Sequence, residues 1–164
     1  MNEQYVLNKI MSLNQARTWR NNLKDIGKKL VVTSGCFDIF HRGHATYLMK
    51  ARALGDALLL GINSDRSVQT LKGPERPINK QDDRAFIMGC LPFIDAVVIF
   101  DSLRCDGLLE AIKPDIFAKG GDITIETLPK EEREILKACR CKIEFISFVK
   151  GFSSTSVIDK IKEK

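Results

Sequence analysis

Apolar residues in this chain alternate between two patterns. Short unbroken runs such as Leu30-Val31-Val32 and Ala57-Leu58-Leu59-Leu60 are followed by stretches in which apolar positions recur every three or four residues. Unbroken runs of this length suit strands buried on both faces, and the spaced stretches suit amphipathic helices. The runs predict strands over about 30–34, 56–62, 96–100, 116–118 and 142–149. The spaced stretches predict helices over about 43–54, 80–91, 104–112, 129–139 and 154–163. Gly55 is placed to end the first of these helices and Pro114 to stop the third. Strand–helix alternation implies a parallel sheet with helices on both faces, an α/β fold. Such sheets bind ligands beyond the carboxyl ends of their strands.

Residues 1–28 read differently. They are polar, with spaced Leu7, Ile10, Met11, Leu13, Trp19, Leu23 and Ile26. They predict an N-terminal extension of one or two helices ending near Gly27, with 29–164 as the main domain. Asn63-Ser64-Asp65 is read as closing the second strand, and Lys72 to Pro77 as a loop.

Composition narrows the partners. A net charge of +5 favours anionic ligands. The Lys and Arg residues are scattered and the aromatics form no stripe, which argues against nucleic acid. Five cysteines lack disulfide spacing, and Cys139-Arg-Cys141 has no neighbouring His, so free thiols in a reducing cytosol are expected rather than a metal site. No basic-then-apolar leader is visible and the apolar runs are too short to span a membrane, so a cytoplasmic protein without a membrane partner is expected.

The only two histidines, His41 and His44, stand three residues apart in Gly35-Cys36-Phe37-Asp38-Ile39-Phe40-His41-Arg42-Gly43-His44. The segment joins a predicted strand to a predicted helix. Helix N-termini carry unpaired N–H groups and partial positive charge, which attract phosphate. Two imidazoles add directional donors there, and Gly43 lets a ligand approach the backbone. A metal reading would need a third ligand, and the loop position favours phosphate contact. Three other clusters lie in loops or at helix starts. Lys72 precedes Gly73; Lys119-Gly120-Gly121-Asp122 follows a strand; Ser153-Ser154-Thr155 opens the last helix. Each has a plain structural reading as surface lysine, tight turn or N-cap, and each is also suited to a nucleotide. Asp38 reads as a turn former, an orienter of loop or His, or an aid to a metal.

The His41-Arg42-Gly43-His44 element resembles the HxGH signature of cytidylyltransferase-like nucleotidyltransferases. The longer segment from Gly35, with Tyr47-Leu48, looks like the branch of adenylyltransferases that make ADP-heptose. Four more segments match that branch: Asn63 to Val68, Leu71 to Ile78, Lys113-Pro114-Asp115 through Asp122, and Gly151 to Thr155. A lone HxGH is moderately specific; five elements in order carry the resemblance. It implies a Rossmann-like, doubly wound fold and transfer of AMP from ATP to a sugar 1-phosphate, with Mg²⁺ bridging the phosphates and a homodimer as the assembly. His41, His44 and Lys72 would be catalytic, with Lys72 on a mobile loop. Cys36, Phe37, Asp38, Gly43, Asn63, Asp65, Lys119, Gly120, Gly121, Asp122, Gly151, Ser153, Ser154 and Thr155 would contact substrates, and no residue is assigned as a metal ligand. Arg84 is offered as reaching either phosphate or a dimer partner. Cys36 is read as packing rather than as a nucleophile.

The chain departs from that pattern at Ser34, where the family carries Asn, at Phe152 and Ser154, and over residues 102–107. The nearest rival, glycerol-3-phosphate cytidylyltransferase, usually carries an Arg where this chain has Phe148-Val149-Lys150. FMN or pantetheine-phosphate adenylyl transfer fits the Leu71–Ile78 element less well. A non-catalytic nucleotide sensor is the alternative from another class.

Overall fold

The computed structural model describes residues 2–121, 123–147, 151 and 153–162. Five strands, β1 (Leu30–Gly35), β2 (Ala57–Asn63), β3 (Ala96–Phe100), β4 (Ile116–Gly120) and β5 (Lys142–Ile146), form one sheet in the order β3-β2-β1-β4-β5. Every pairing is parallel. The helices are α1 (Glu3–Leu7), α2 (Leu13–Asp25), α3 (Arg42–Arg52), α4 (Asp65–Lys72), α5 (Gln81–Gly89), α6 (Asp106–Ile112), α7 (Lys130–Ala138) and α8 (Ser154–Lys162).

Alternate strand residues feed two cores, which is why the strands read as continuous apolar runs. Val31, Leu58, Leu60 and Ala118 pack with Tyr47, Leu48 and Ala51 of α3 and Ala85 and Met88 of α5. Leu30, Val32, Leu59 and Phe117 pack on the other face with Ala16 and Leu23 of α2, Leu108 and Leu109 of α6 and Leu136 of α7. The fold is therefore the expected Rossmann-like α/β sheet with helices on both faces.

Three elements differ from the sequence reading, one of them β5, which ends at Ile146 with Ser147 outside the strand. Residues 66–71, which the sequence reading assigns to no element, form α4 together with Asp65 and Lys72. Ser64 caps it by accepting from the Ser67 N–H, and Val68 is its buried apolar anchor. Its apolar residues, Val68 and Leu71, stand three apart on one face, but the element is only eight residues long, shorter than the window in which a helical period is read. Lys72 accordingly ends a helix rather than lying within a loop. Strand β4 also runs two residues past its apolar run, because Lys119 and Gly120 pair with Phe145 and Ile146 of β5.

The N-terminal helices pack onto the sheet rather than standing away from it. Val97 of β3 donates to Lys9 O at 2.8 Å and accepts from Met11 N at 2.8 Å, so residues 9–11 cover the outer edge of β3. Val6 is buried, and Arg20 pairs with Asp115 at 2.9 Å across the molecule. An uncovered apolar edge strand templates association. Deleting residues 1–12 is expected to leave a chain that elutes as aggregate, read by light scattering against the intact protein. Among the described residues, no helix is long and apolar enough to cross a membrane.

Candidate active site

The strand order turns at β1 and β4: the chain builds outward to β3 on one side and to β5 on the other. A crevice opens at such a turning point, beyond the carboxyl ends of the strands. Here it is bounded by Gly35 at the end of β1 and Gly120 at the end of β4. Beneath it, the Tyr47 hydroxyl lies 2.6 Å from Thr33 Oγ1 and donates to Ala118 O at 3.0 Å, bracing the two strands.

Past Gly35 the backbone turns sharply, with φ of 47° at Phe37 and 51° at Ile39. A Cβ at position 35 would come within 2.9 Å of the Phe37 ring, so a side chain there would displace that ring from the site. His41 then caps α3, its Nδ1 accepting from the His44 N–H at 3.4 Å. In the neutral ring this places the proton on Nε2. The two imidazoles stack with centroids 3.8 Å apart and planes at 16°. Phe37 and Phe40 flank His44 at 5.3 and 6.0 Å.

This packing changes the histidines' chemistry. Burial, then the neighbouring His41 and Lys72, push His44 down to about 4 from its ordinary 6.5. Burial also lowers His41. Both rings are neutral donors at pH 7 and gain affinity for a proton once an anion arrives. The stability consequence has a definite sign. Between pH 6.5 and about 4 the unfolded chain binds a proton that native His44 refuses. Stability therefore falls as pH falls through that window. Urea midpoints at pH 7, 6 and 5 are expected to decline, and His44→Gln is expected to flatten the decline.

Asp38 fastens three segments together. Its fully buried carboxylate accepts from Arg76 Nε at 2.9 Å, Ile78 N at 2.9 Å and Asn79 N at 3.0 Å, and pairs with a second Arg76 nitrogen at 2.8 Å. Burial would raise this carboxyl, but the Asn79 and Ile78 N–H groups and Arg76 outweigh it and hold it below the usual range. The Asp38 carbonyl accepts from Ser154 Oγ at 2.6 Å, tying in the start of α8. Arg84 completes the bracket. Only 1% exposed, it donates to Asn79 O, Cys36 O and Asp65 Oδ1 at 3.0, 2.6 and 2.9 Å. Asn79 is thus held by Asp38 at its N–H and by Arg84 at its carbonyl. Arg84, offered by the sequence to phosphate or a dimer partner, is instead buried with its donors turned inward to these three partners, and it lines neither crevice cavity.

Two adjoining cavities fill the crevice. The first, about 220 Å³, is lined among others by Cys36, Phe37, His44, Lys72, Lys119 and Ser154. The second, about 270 Å³, shares Ser34, Gly35, Lys119 and Ile123 with the first and adds Asn63, Arg104, Thr127 and Glu132. Most of the sequence-selected residues gather here. Lys72 stands at the end of α4 before Gly73, whose φ of 97° turns the chain away. Lys119 pairs with the buried Glu132 at 3.0 Å. Gly43 is buried in the first turn of α3. Burial pushes the Cys36 thiol up, which keeps it protonated. Ser153 Oγ accepts from Ser156 N at 3.0 Å at the start of α8, and Thr155 beside it is exposed.

Other candidates are placed differently. Asn63 Nδ2 donates to Ser67 Oγ at 2.9 Å while the residue lines the second cavity. Asp65 lines neither cavity and serves Arg84. Gly121, with φ of 97°, donates to Ile146 O, and Gly151, with φ of 85°, is exposed. Asp122, Phe148 to Lys150 and Phe152 lie outside the described residues. Sequence reasoning did not select Arg76, Asn79 or Glu132. Glu132 sits in the charged run Lys130-Glu131-Glu132-Arg133, and nothing in that run marks which carboxylate is buried.

A family model described as cytidylyltransferase-like matches residues 32–160, the segment that contains both cavities and the stacked histidines. The chain belongs to the cytidylyltransferase-like family. It is 47% identical over 138 residues to the bifunctional protein HldE of Pelobacter propionicus, covering 84% of this chain and 28% of that protein. It is 44% identical to the bifunctional protein HldE of Wolinella succinogenes, covering 90% of this chain and 29% of that one. The chain thus spans under a third of the length of these relatives. In fold it is similar to a lipopolysaccharide core biosynthesis protein from Thermoplasma volcanium, with a TM-score of 0.60, 23% identity, and coverage of 77% of this chain and all of that one. It also resembles pantoate–β-alanine ligase from Francisella tularensis, with a TM-score of 0.60 and 15% identity over 94% of this chain and 78% of the other.

Proposed function

We propose that the chain transfers AMP from ATP to a sugar 1-phosphate, with D-glycero-β-D-manno-heptose 1-phosphate as acceptor, giving ADP-heptose and pyrophosphate. The observation that carries this reading is the stacked pair His41 and His44 at the N-terminus of α3, with His44 and Lys72 lining one cavity at the turning point of the sheet. The similarity to HldE proteins and the five ordered sequence elements support the sugar phosphate as acceptor. The product would serve surface glycan or lipopolysaccharide core synthesis in the cytoplasm.

The chemistry needs no covalent enzyme intermediate. An oxygen of the sugar phosphate attacks the α-phosphorus, and the bond from that phosphorus to the bridging oxygen breaks. Pyrophosphate leaves with the electron pair, so charge is conserved without a general base. The transition state spreads negative charge over phosphoryl oxygens, and positioned donors lower its energy. His41 and His44 would donate to α- and β-phosphate oxygens, the α3 N-terminus adding partial positive charge. Lys72 would approach the β- and γ-phosphates. Lys119, Gly120 and the Ser153–Thr155 turn would line the nucleotide, with residues 29–164 as the transferase domain and 1–28 as its helical extension.

Magnesium fits this site as a passenger of the triphosphate. Among the described residues no three His, Cys, Asp or Glu side chains gather on one point, and the Asp38 carboxylate is filled by N–H donors. Phosphate oxygens and water would supply its ligands, and the ion would neutralise charge on the phosphates. A homodimer belongs to the same proposal and is tested by sedimentation.

The deciding experiment is pyrophosphate release with Mg²⁺, crossing ATP, CTP, GTP and UTP against heptose 1-phosphate and glycerol 3-phosphate. Release with ATP and heptose 1-phosphate alone supports the proposal. Release with CTP and glycerol 3-phosphate overturns it in favour of the cytidylyl branch. ATP binding with no release in any combination overturns it in favour of a sensor.

A further inference from the structure

The second cavity lies beside the one that holds His44 and Lys72, shares Lys119 with it, and is built from buried polar groups. Glu132 is 2% exposed, and both Lys119 Nζ at 3.0 Å and Cys105 Sγ at 3.7 Å meet its Oε1. Asn63 enters from the end of β2, and Leu103, half exposed, stands on the outer wall. A buried carboxylate is costly unless hydrogen bonds serve it. One lysine and a weak thiol donor leave acceptor capacity, since an ionised carboxylate offers about four lone-pair sites. The matching ligand is one rich in hydroxyl donors.

Geometry also selects this side. In phosphoryl and nucleotidyl transfer the attacking and leaving oxygens lie in line across phosphorus. With pyrophosphate drawn toward His44, Lys72 and Ser154, the acceptor must approach from the opposite side. That side opens past Ser34, Gly35 and Lys119 into the second cavity. Resting on the adenylyltransferase reading, we infer that this second cavity is the acceptor subsite, and that Glu132 is a specificity residue that accepts hydrogen bonds from the sugar's hydroxyls. Asn63 contributes beside it, whereas Asp65, turned to Arg84, does not touch the sugar. Lys119 lines both cavities and sits where the acceptor phosphate passes between them.

Two variants test this. Leu103→Trp fills the cavity from its solvent side without touching a buried polar group, and Glu132→Gln removes the charge while keeping the shape. For each, KM is measured for D-glycero-β-D-manno-heptose 1-phosphate and for ATP, with the Kd of an ATP analogue carrying methylene between its α- and β-phosphorus. Leu103→Trp is expected to raise the sugar KM about tenfold or more, with the analogue Kd unchanged within about twofold. Glu132→Gln is expected to do the same and also to narrow the preference for heptose 1-phosphate over glycerol 3-phosphate. A sugar KM left unchanged in both variants, or a shift confined to ATP, overturns the subsite. A wild-type protein that turns over no sugar 1-phosphate overturns the adenylyltransferase reading itself, and the subsite with it. A purely structural role for Glu132 would raise both KM values and lower the Tm together.

Discussion

His44→Ala is expected to lower kcat/KM for pyrophosphate release by about 10²- to 10³-fold, the usual loss when one preorganised donor to a transition-state oxyanion is removed. The expectation rests on placement. His44 lines the first cavity beneath Lys72's charge, is packed between Phe37 and Phe40, and is neutral at pH 7. A ring so confined costs little reorganisation when charge develops beside it. Because α3 keeps its cap in His44→Ala, the Tm should move little at pH 7. His41 needs a different control, since it caps α3 through Nδ1. Loss of a cap costs about 1 kcal/mol of stability. His41→Asn retains a capping oxygen, so it should recover stability while leaving activity low. Recovery of both would reduce His41 to a cap.

Arg84→Met is expected to lower the Tm by roughly 10 °C and to cut activity together with it. Removing one partner of a buried ion pair costs about 3–5 kcal/mol, because the other charge stays behind unpaired. For a chain of this size each kcal/mol corresponds to roughly 2–4 °C. Here the loss strands Asp65 Oδ1, Cys36 O and Asn79 O at once. Asp65 retains 24% side-chain exposure, so water recovers part of the carboxylate's hydration and the lower end of the range applies. Arg84→Lys keeps the charge but cannot fork to three acceptors in different directions. It should recover Tm more than activity, because the Cys36 and Asn79 carbonyls set the shape of the loops bearing the histidines and following Lys72. Thermal melts with pyrophosphate-release kinetics on the same preparations separate the two effects.

The Asp38 and Arg84 bracket also explains how the first cavity keeps its shape. The loop between β1 and α3, the segment 76–79 and the start of α8 come from distant parts of the chain. They are joined by hydrogen bonds of 2.6 to 3.0 Å centred on Asp38 and Arg84. Charge-assisted bonds of this kind are among the stronger ones available to a buried polar network.

How far each feature was legible follows from the range over which its cause acts. Strands β1 to β4 were visible because burial on both faces writes an unbroken apolar run, whereas the edge strand β5 is half exposed and mixes Lys142 and Glu144 with its apolar residues. The histidine pair was visible as a helix-start site because strand end, turn and cap all fall within Gly35 to His44. Helix α4 escaped because it is eight residues long, shorter than the window over which a helical period is read. Lys119 and Asn63 line the cavities from the strand termini at which the sequence places them. Whether a given charged side chain turned inward was not legible. Asp65 and Glu132 both stand in the first turn of a helix in the structure, yet one serves a buried arginine and the other lines a cavity. By itself the sequence determined the α/β architecture and the local strand–turn–helix that carries the histidine pair, since both arise from contacts between near neighbours. Only the tertiary structure decided the roles of Asp38, Arg84 and Glu132 and the division of the crevice into two cavities. Those depend on partners 5 to 116 residues apart, most of them brought together by the sheet order.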